Sequence, residues 1–169
     1  MKLKPINNKN VAGCHKINED NIPEVGTKSL LEFKLLVDNS DFNLCVSIED
    51  TVVGYIICFQ DTKDTHEYLL ELDHKNYQQL KNRLNNFLYI DRIAIDQNFR
   101  NKQIASRLYD EVVKFANKNA ISHLTAEINL LPTKNVPSLL FHEKFDFIEF
   151  DTVKYSEDYE VSLQVRMNS

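Results

Sequence analysis

The chain has 169 residues, 43% hydrophobic and 27% charged, a balance that suits one globular domain over residues 1–169 and excludes a disordered or fibrous chain. Its formal net charge of −5 argues against a nucleic-acid partner held by a generally basic surface. Its apolar runs are too short to cross a bilayer, and Cys14, Cys45 and Cys58 form no C-x-x-C pair, so no membrane partner and a reducing cytoplasm are expected.

In chain order, "MKLKPI" reads as a short first strand. Helices follow over Asn10 to about Asn18 and Thr27 to about Val37, with Thr27 as the expected N-cap of the second. Phe42–Ile48 and Thr51–Phe59 read as strands joined at Glu49-Asp50, an antiparallel hairpin signal. Gln60 to Asn86 is a polar excursion with a helix expected around Tyr77–Leu84; it is either a functional loop or a solvated surface feature. Its acidic residues, Asp61, Asp64, Glu67, Glu71 and Asp73, read as a solvated face or as an attractor for a cationic amine.

Phe87–Ile95 is a strand expected to be buried on both faces apart from Asp91 and Arg92. Gln103–Ala116 has helical spacing, Ser122–Asn129 reads as a strand, and Asn135–Lys144 as a helix with Asn135 as N-cap. "FDFIEFD" and "YEVSLQVRM" close the chain as two strands. This order predicts a mixed sheet with helices on both sides.

The turn "DQNFRNK" runs from the strand ending at Ile95 into the helix starting near Gln103. The first N–H groups of a helix lack internal acceptors and, with the helix dipole, favour an anion. Arg100 and Lys102 flank that end, and Ala105 and Ser106 are small enough to let a ligand approach. A plain helix start with two solvated basic residues is the competing reading.

"IAIDQNFRNKQIASRL" resembles motif A of the GNAT acetyltransferases, with Arg100, Ile104 and Ala105 on pattern and Gln103 in place of a glycine. "NVPSLLFHEKFDF" resembles motif B through Asn135, Ser138, Phe141, Glu143, Lys144 and Phe147, with Asp146 at a glycine position. The detailed likeness covers about Asn76 to Phe150. It implies an α/β (α+β) fold: a mixed, mostly antiparallel sheet with helices on both faces and a splayed central strand pair. It further implies acetyl-CoA as co-substrate, without a metal, and an amine as acceptor. Carried over by position, Ile93, Ala94 and Ile95 would bind the acetyl and pantetheine groups through main chain. Arg100, Asn101, Lys102, Gln103, Ile104, Ala105 and Ser106 would hold the pyrophosphate, and Asn135 and Ser138 would flank the pantetheine or nucleotide. Gln103 is expected in ordinary helical φ/ψ, and Asp146 in the left-handed region that Asp enters readily. Many relatives dimerise, so a homodimer is an open expectation.

Acetyl transfer needs a neutral amine, so a base must remove a proton. Tyr89 and Asp91 share a strand face with Ile93 and Ile95, and Glu127 lies on the next strand; all three are candidates. Asp91 could equally be half of a structural ion pair, although Arg92 points to the opposite face. The Ile93 N–H could serve as oxyanion donor. His142 stands where the family often has a tyrosine acid, and is read either as a proton donor or as a packed residue beside Phe141 and Phe145. The glycine departures leave a rival to the enzyme reading: a degenerate acyl-CoA-binding sensor or interaction module.

Overall fold

The structure, a computed structural model, describes residues 1–168. The chain forms two compact units. The first comprises Met1–Phe59 and Ile90–Phe115; the second comprises Gln60–Tyr89 and the chain from Ala116 onward.

The first unit begins with β1 (Lys2–Lys4), α1 (Val11–Asp20), α2 (Leu30–Asn39), β2 (Phe42–Ile48) and β3 (Thr51–Gln60). It also holds the later residues of β4 (Phe87–Ile95) and most of α5 (Ile104–Lys118). Its strands run in the order β1-β2-β3-β4. The β2–β3 turn places Glu49 at φ 47° and Asp50 at φ 66°, the paired left-handed residues that match the twist of a two-residue hairpin. Thr27 is not the α2 cap: Ser29 accepts from Glu32 N and the Glu32 carboxylate accepts from Ser29 N, a full capping box. Thr27 instead donates to Glu19 at 2.7 Å.

The second unit holds α3 (Lys63–Glu71), α4 (Lys75–Lys81), the first residues of β4, β5 (His123–Leu131), α6 (Val136–Lys144), β6 (Ile148–Ser156) and β7 (Tyr159–Met167). Its strands run β4-β5-β7-β6. β4 and β5 pair in parallel as Phe87↔His123, Leu88↔Leu124 and Tyr89↔Thr125, the first three residues of each nine-residue strand. The β5–β7 and β6–β7 pairs are antiparallel. This mixed arrangement agrees with the sequence-based expectation.

The excursion between β3 and β4 carries two helices rather than one. Thr62 caps α3 by accepting from Thr65 N, and His74 caps α4 by accepting from Tyr77 N at 3.3 Å. Asp61 is not part of a solvated face. Its side chain is only 9% exposed, pairs with Lys81 Nζ at 2.7 Å and accepts from Asn86 N at 2.9 Å. Tyr77 and Leu80 are fully buried, so α4 is part of the core of its unit.

β4 also departs from expectation. Arg92 is buried, whereas Ile93 and Ile95 are half-buried, so the strand alternates from Ile90 onward.

Candidate active site

The turn after β4 and the first turn of α5 lie in the first unit. A short 3₁₀ turn, Gln97–Phe99, is capped by the Asp96 side chain, which accepts from Asn98 N. Asn101 then takes φ 62° and Gln103 φ 58°. Gln103 is therefore not helical: it sits in the left-handed region, and α5 starts at Ile104. Two left-handed residues in three reverse the chain sharply enough to begin a helix at once, and glycine is the residue that does this without Cβ strain.

Gln103 O accepts from Arg107 N at 3.1 Å, the first helical bond. The N–H groups of Gln103, Ile104, Ala105 and Ser106 therefore have no acceptor within the helix. Ile104 is buried, Ala105 and Ser106 are half-buried, and Asn101, Lys102 and Gln103 are exposed. Lys102 Nζ stands 4.6 Å over the Phe99 ring, which keeps an ammonium close to the tip. Arg100 has a structural duty: its Nη2 donates to Asn21 Oδ1 at 2.7 Å, and Asn21 Nδ2 donates to Ile17 O at 2.8 Å. A run of N–H donors, a cation and small first-turn side chains is the donor set a diphosphate needs, so these residues fit coenzyme A.

Gly54 on β3 sets this geometry from beneath. A Cβ there would lie 2.7 Å from Ile95 Cδ1 and 3.2 Å from Ile104 Cγ2. Its absence lets the end of β4 and the start of α5 close on β3. A lone glycine inside the apolar run "TVVGYIICF" is a sequence signal for such close approach.

Asp91 and Arg92 do form a pair despite their opposite strand faces. Arg92 Nε meets Asp91 Oδ2 at 2.7 Å with side chains 7% and 2% exposed. Arg92 Nη1 continues to Asn18 Oδ1 at 3.0 Å, which also accepts from Tyr55 at 2.6 Å. Burial pushes the Tyr55 phenol up, so it remains a donor in this network. Asp91 is thus the anchor of a buried polar network.

The second unit gathers a different set. Glu127 Oε1 accepts from Tyr89 at 2.8 Å and from Asn76 Nδ2 at 3.1 Å. Tyr155 donates to Asn76 Oδ1 at 2.7 Å, and Asn76 Nδ2 lies 3.3 Å from the Tyr159 hydroxyl. The Tyr155 and Tyr159 rings stack at 5.1 Å, and His74 meets Tyr89 edge-on at 5.5 Å. Desolvation, chiefly, raises Tyr155 to about 12 and Tyr159 in the same direction. Sequence reading picked out Tyr89 and Glu127 and missed Asn76, Tyr155 and Tyr159, whose polar or aromatic character has no distinctive spacing.

Asn135 caps α6 as expected, accepting from Ser138 N at 3.2 Å, and Asp146 takes φ 61°. His142 is buried, with rings of Phe147 and Phe141 edge-on at 5.0 and 5.8 Å. Its Nδ1 lies 2.8 Å from Ser138 O, so Nδ1 carries the proton and donates it. Burial lowers its pKa from 6.5 to about 4, which makes it a neutral imidazole at pH 7.

The Acetyltransferase (GNAT) family profile matches residues 12–147. The chain belongs to the GNAT family of acetyltransferases. As a member of that family it is an acetyltransferase that uses acetyl-CoA as its acyl donor. Solved structures with the same fold include Ard1 from Thermoplasma volcanium, at TM-score 0.77 and 14% identity, covering 99% of this chain and 97% of that one. The ribosomal-protein-S18-alanine N-acetyltransferase from Escherichia coli gives TM-score 0.73 and 10% identity over 99% and 94%. An N-acetyltransferase from Staphylococcus aureus Mu50 gives 0.74 and 15% over 99% and 98%. No curated protein sequence matches the chain.

Proposed function

We propose that this acetyltransferase holds the diphosphate of acetyl-CoA on the first-turn N–H groups of α5 and removes the acceptor's proton with Glu127. The observation that carries the first part is the tip itself: four consecutive N–H groups without helical acceptors, Gln103 to Ser106, with Lys102 beside them. Main-chain groups of Ile93, Ala94 and Ile95 are the assigned contacts for the pantetheine arm.

Acetyl-CoA supplies an activated thioester carbonyl. The chain's residues must take one proton from the ammonium form of the amine before the C–N bond forms; the C–S bond then breaks, and the departing thiolate takes up the second proton the nitrogen loses. Of the three candidate bases, Asp91 is engaged with Arg92 at 2.7 Å and inaccessible, which favours an anchoring role. Glu127 is half-buried and receives the Tyr89 hydroxyl, so it is the group assigned to accept the proton, with Tyr89 orienting it. His142 is assigned to packing, because its Nδ1–H is engaged by Ser138 O. The acceptor is a primary amine, and an N-terminal alanine is the first form to try, by analogy with the Escherichia coli neighbour. Three buried, unbridged thiols fit a cytoplasmic setting.

The test is CoA release from acetyl-CoA with an alanyl tetrapeptide, a lysyl side chain and ethylamine as acceptors. Amine-dependent release that Glu127→Gln abolishes, with acetyl-CoA binding retained, is the expected result. Full release by Glu127→Gln with every amine would remove Glu127 from the reaction.

A further inference from the structure

One residue of the excursion Gln60–Asn86 reaches the assigned base. We propose that Asn76, on α4, is a positioning residue that fixes Glu127 and favours its ionised form, a proposal that rests on reading Glu127 as the base. The amide orientation is settled by its partners. Glu127 offers only acceptors when ionised, so the Asn76 nitrogen must face it at 3.1 Å. The Asn76 oxygen then faces Tyr155, whose hydroxyl donates to it at 2.7 Å. One amide therefore links α4 to β5, β6 and, at 3.3 Å, to Tyr159 on β7.

The anchoring of α4 makes this link rigid rather than incidental. Tyr77 and Leu80 bury its apolar side, His74 caps its start and packs edge-on against Tyr89, and Lys81 pairs with Asp61. Tyr89 and Asn76 thus converge on the same oxygen, Oε1 of Glu127, from two elements that are locked together. Two donors on one carboxylate oxygen favour the charged form and restrict its rotation. Titratable groups that meet or act on the carboxylate include Tyr89 on β4, Tyr155 on β6 and Tyr159 on β7; His74, at the start of α4, packs on Tyr89, and Arg83 acts on Tyr155.

Asn76→Asp and Asn76→Ala in the full chain test this. Aspartate is isosteric and still accepts from Tyr155, but places a second negative charge where a donor stood. The Glu127 carboxyl is followed by carbon-13 NMR across pH, and transfer to ethylamine is followed as CoA release. The expected result is a titration midpoint moved upward in both variants, by about one pH unit in Asn76→Ala and more in Asn76→Asp. The acid limb of kcat/KM should move with it, giving about a tenfold loss below the midpoint, with KM for acetyl-CoA unchanged. An unmoved carboxyl midpoint in folded Asn76→Asp overturns the role of Asn76 whatever Glu127 does. A moved midpoint beside undiminished activity of Glu127→Gln overturns it differently, by removing the base that Asn76 was to position.

Discussion

Replacing Gln103 by glycine examines the one residue at the tip of α5 that departs from the motif A pattern. Gln103 sits at φ 58°, where an L-residue carries a penalty of about 1–2 kcal/mol from Cβ crowding. Glycine removes that penalty but adds backbone freedom to the unfolded chain, which returns about 0.4–1 kcal/mol. The net expectation is a stabilisation of about 0.5–1 kcal/mol for Gln103→Gly. Gln103→Ala keeps the Cβ and should be close to neutral, while Gln103→Val, branched at Cβ, should lose about 1 kcal/mol or more. Urea unfolding midpoints at constant m-value measure all three. Without a Cβ at this position a phosphate can come closer to the first-turn amides, so acetyl-CoA affinity should rise in the same variant. A Gln103→Gly protein no more stable than Gln103→Ala would mean that the left-handed turn is not strained.

Two further outcomes follow from packing and burial. Gly54→Ala should destabilise by about 1–3 kcal/mol and weaken acetyl-CoA binding, because the new methyl would have to displace Ile95 or Ile104 beneath the tip; thermal unfolding and titration calorimetry read both. His142 should make stability pH-dependent. Its native pKa of about 4 lies below the unfolded 6.5, so its contribution is complete above pH 6.5 and is lost as pH falls toward 4, by roughly 3 kcal/mol at most. Urea unfolding at pH 7 and pH 4.5 should show that His142→Phe loses less stability over this interval than the parent; equal losses would contradict the burial argument.

Local signals carried most of the fold. The Phe42–Ile48 and Phe87–Ile95 strands were legible from their apolar runs, and the Glu49-Asp50 turn from its length, because each depends on neighbours in sequence. The α2 cap was misplaced because Thr27 and Ser29 are both good caps, and only the reciprocal Glu32 bond distinguishes them. α3 escaped notice because its apolar positions are few among charged residues. At the site, the motifs located the α5 tip, Asn135 and Asp146, all of which are local backbone features. They did not reveal that Gln103 keeps the glycine conformation with its side chain still attached. The Asp91–Arg92 pair was hidden because face alternation predicts Cβ directions, whereas a long guanidinium can curl back to its neighbour. Asn76 was hidden for a different reason: its partners lie 51 and 79 residues away, and no spacing announces them.

The most direct measurement is of the α5 tip in solution. Amide NMR of the protein titrated with coenzyme A, and separately with pantetheine, reports on each N–H individually. The amides of Gln103, Ile104, Ala105 and Ser106 should move strongly with coenzyme A and little with pantetheine, since only the former brings the diphosphate. Saturation by coenzyme A with those four resonances unmoved would contradict it.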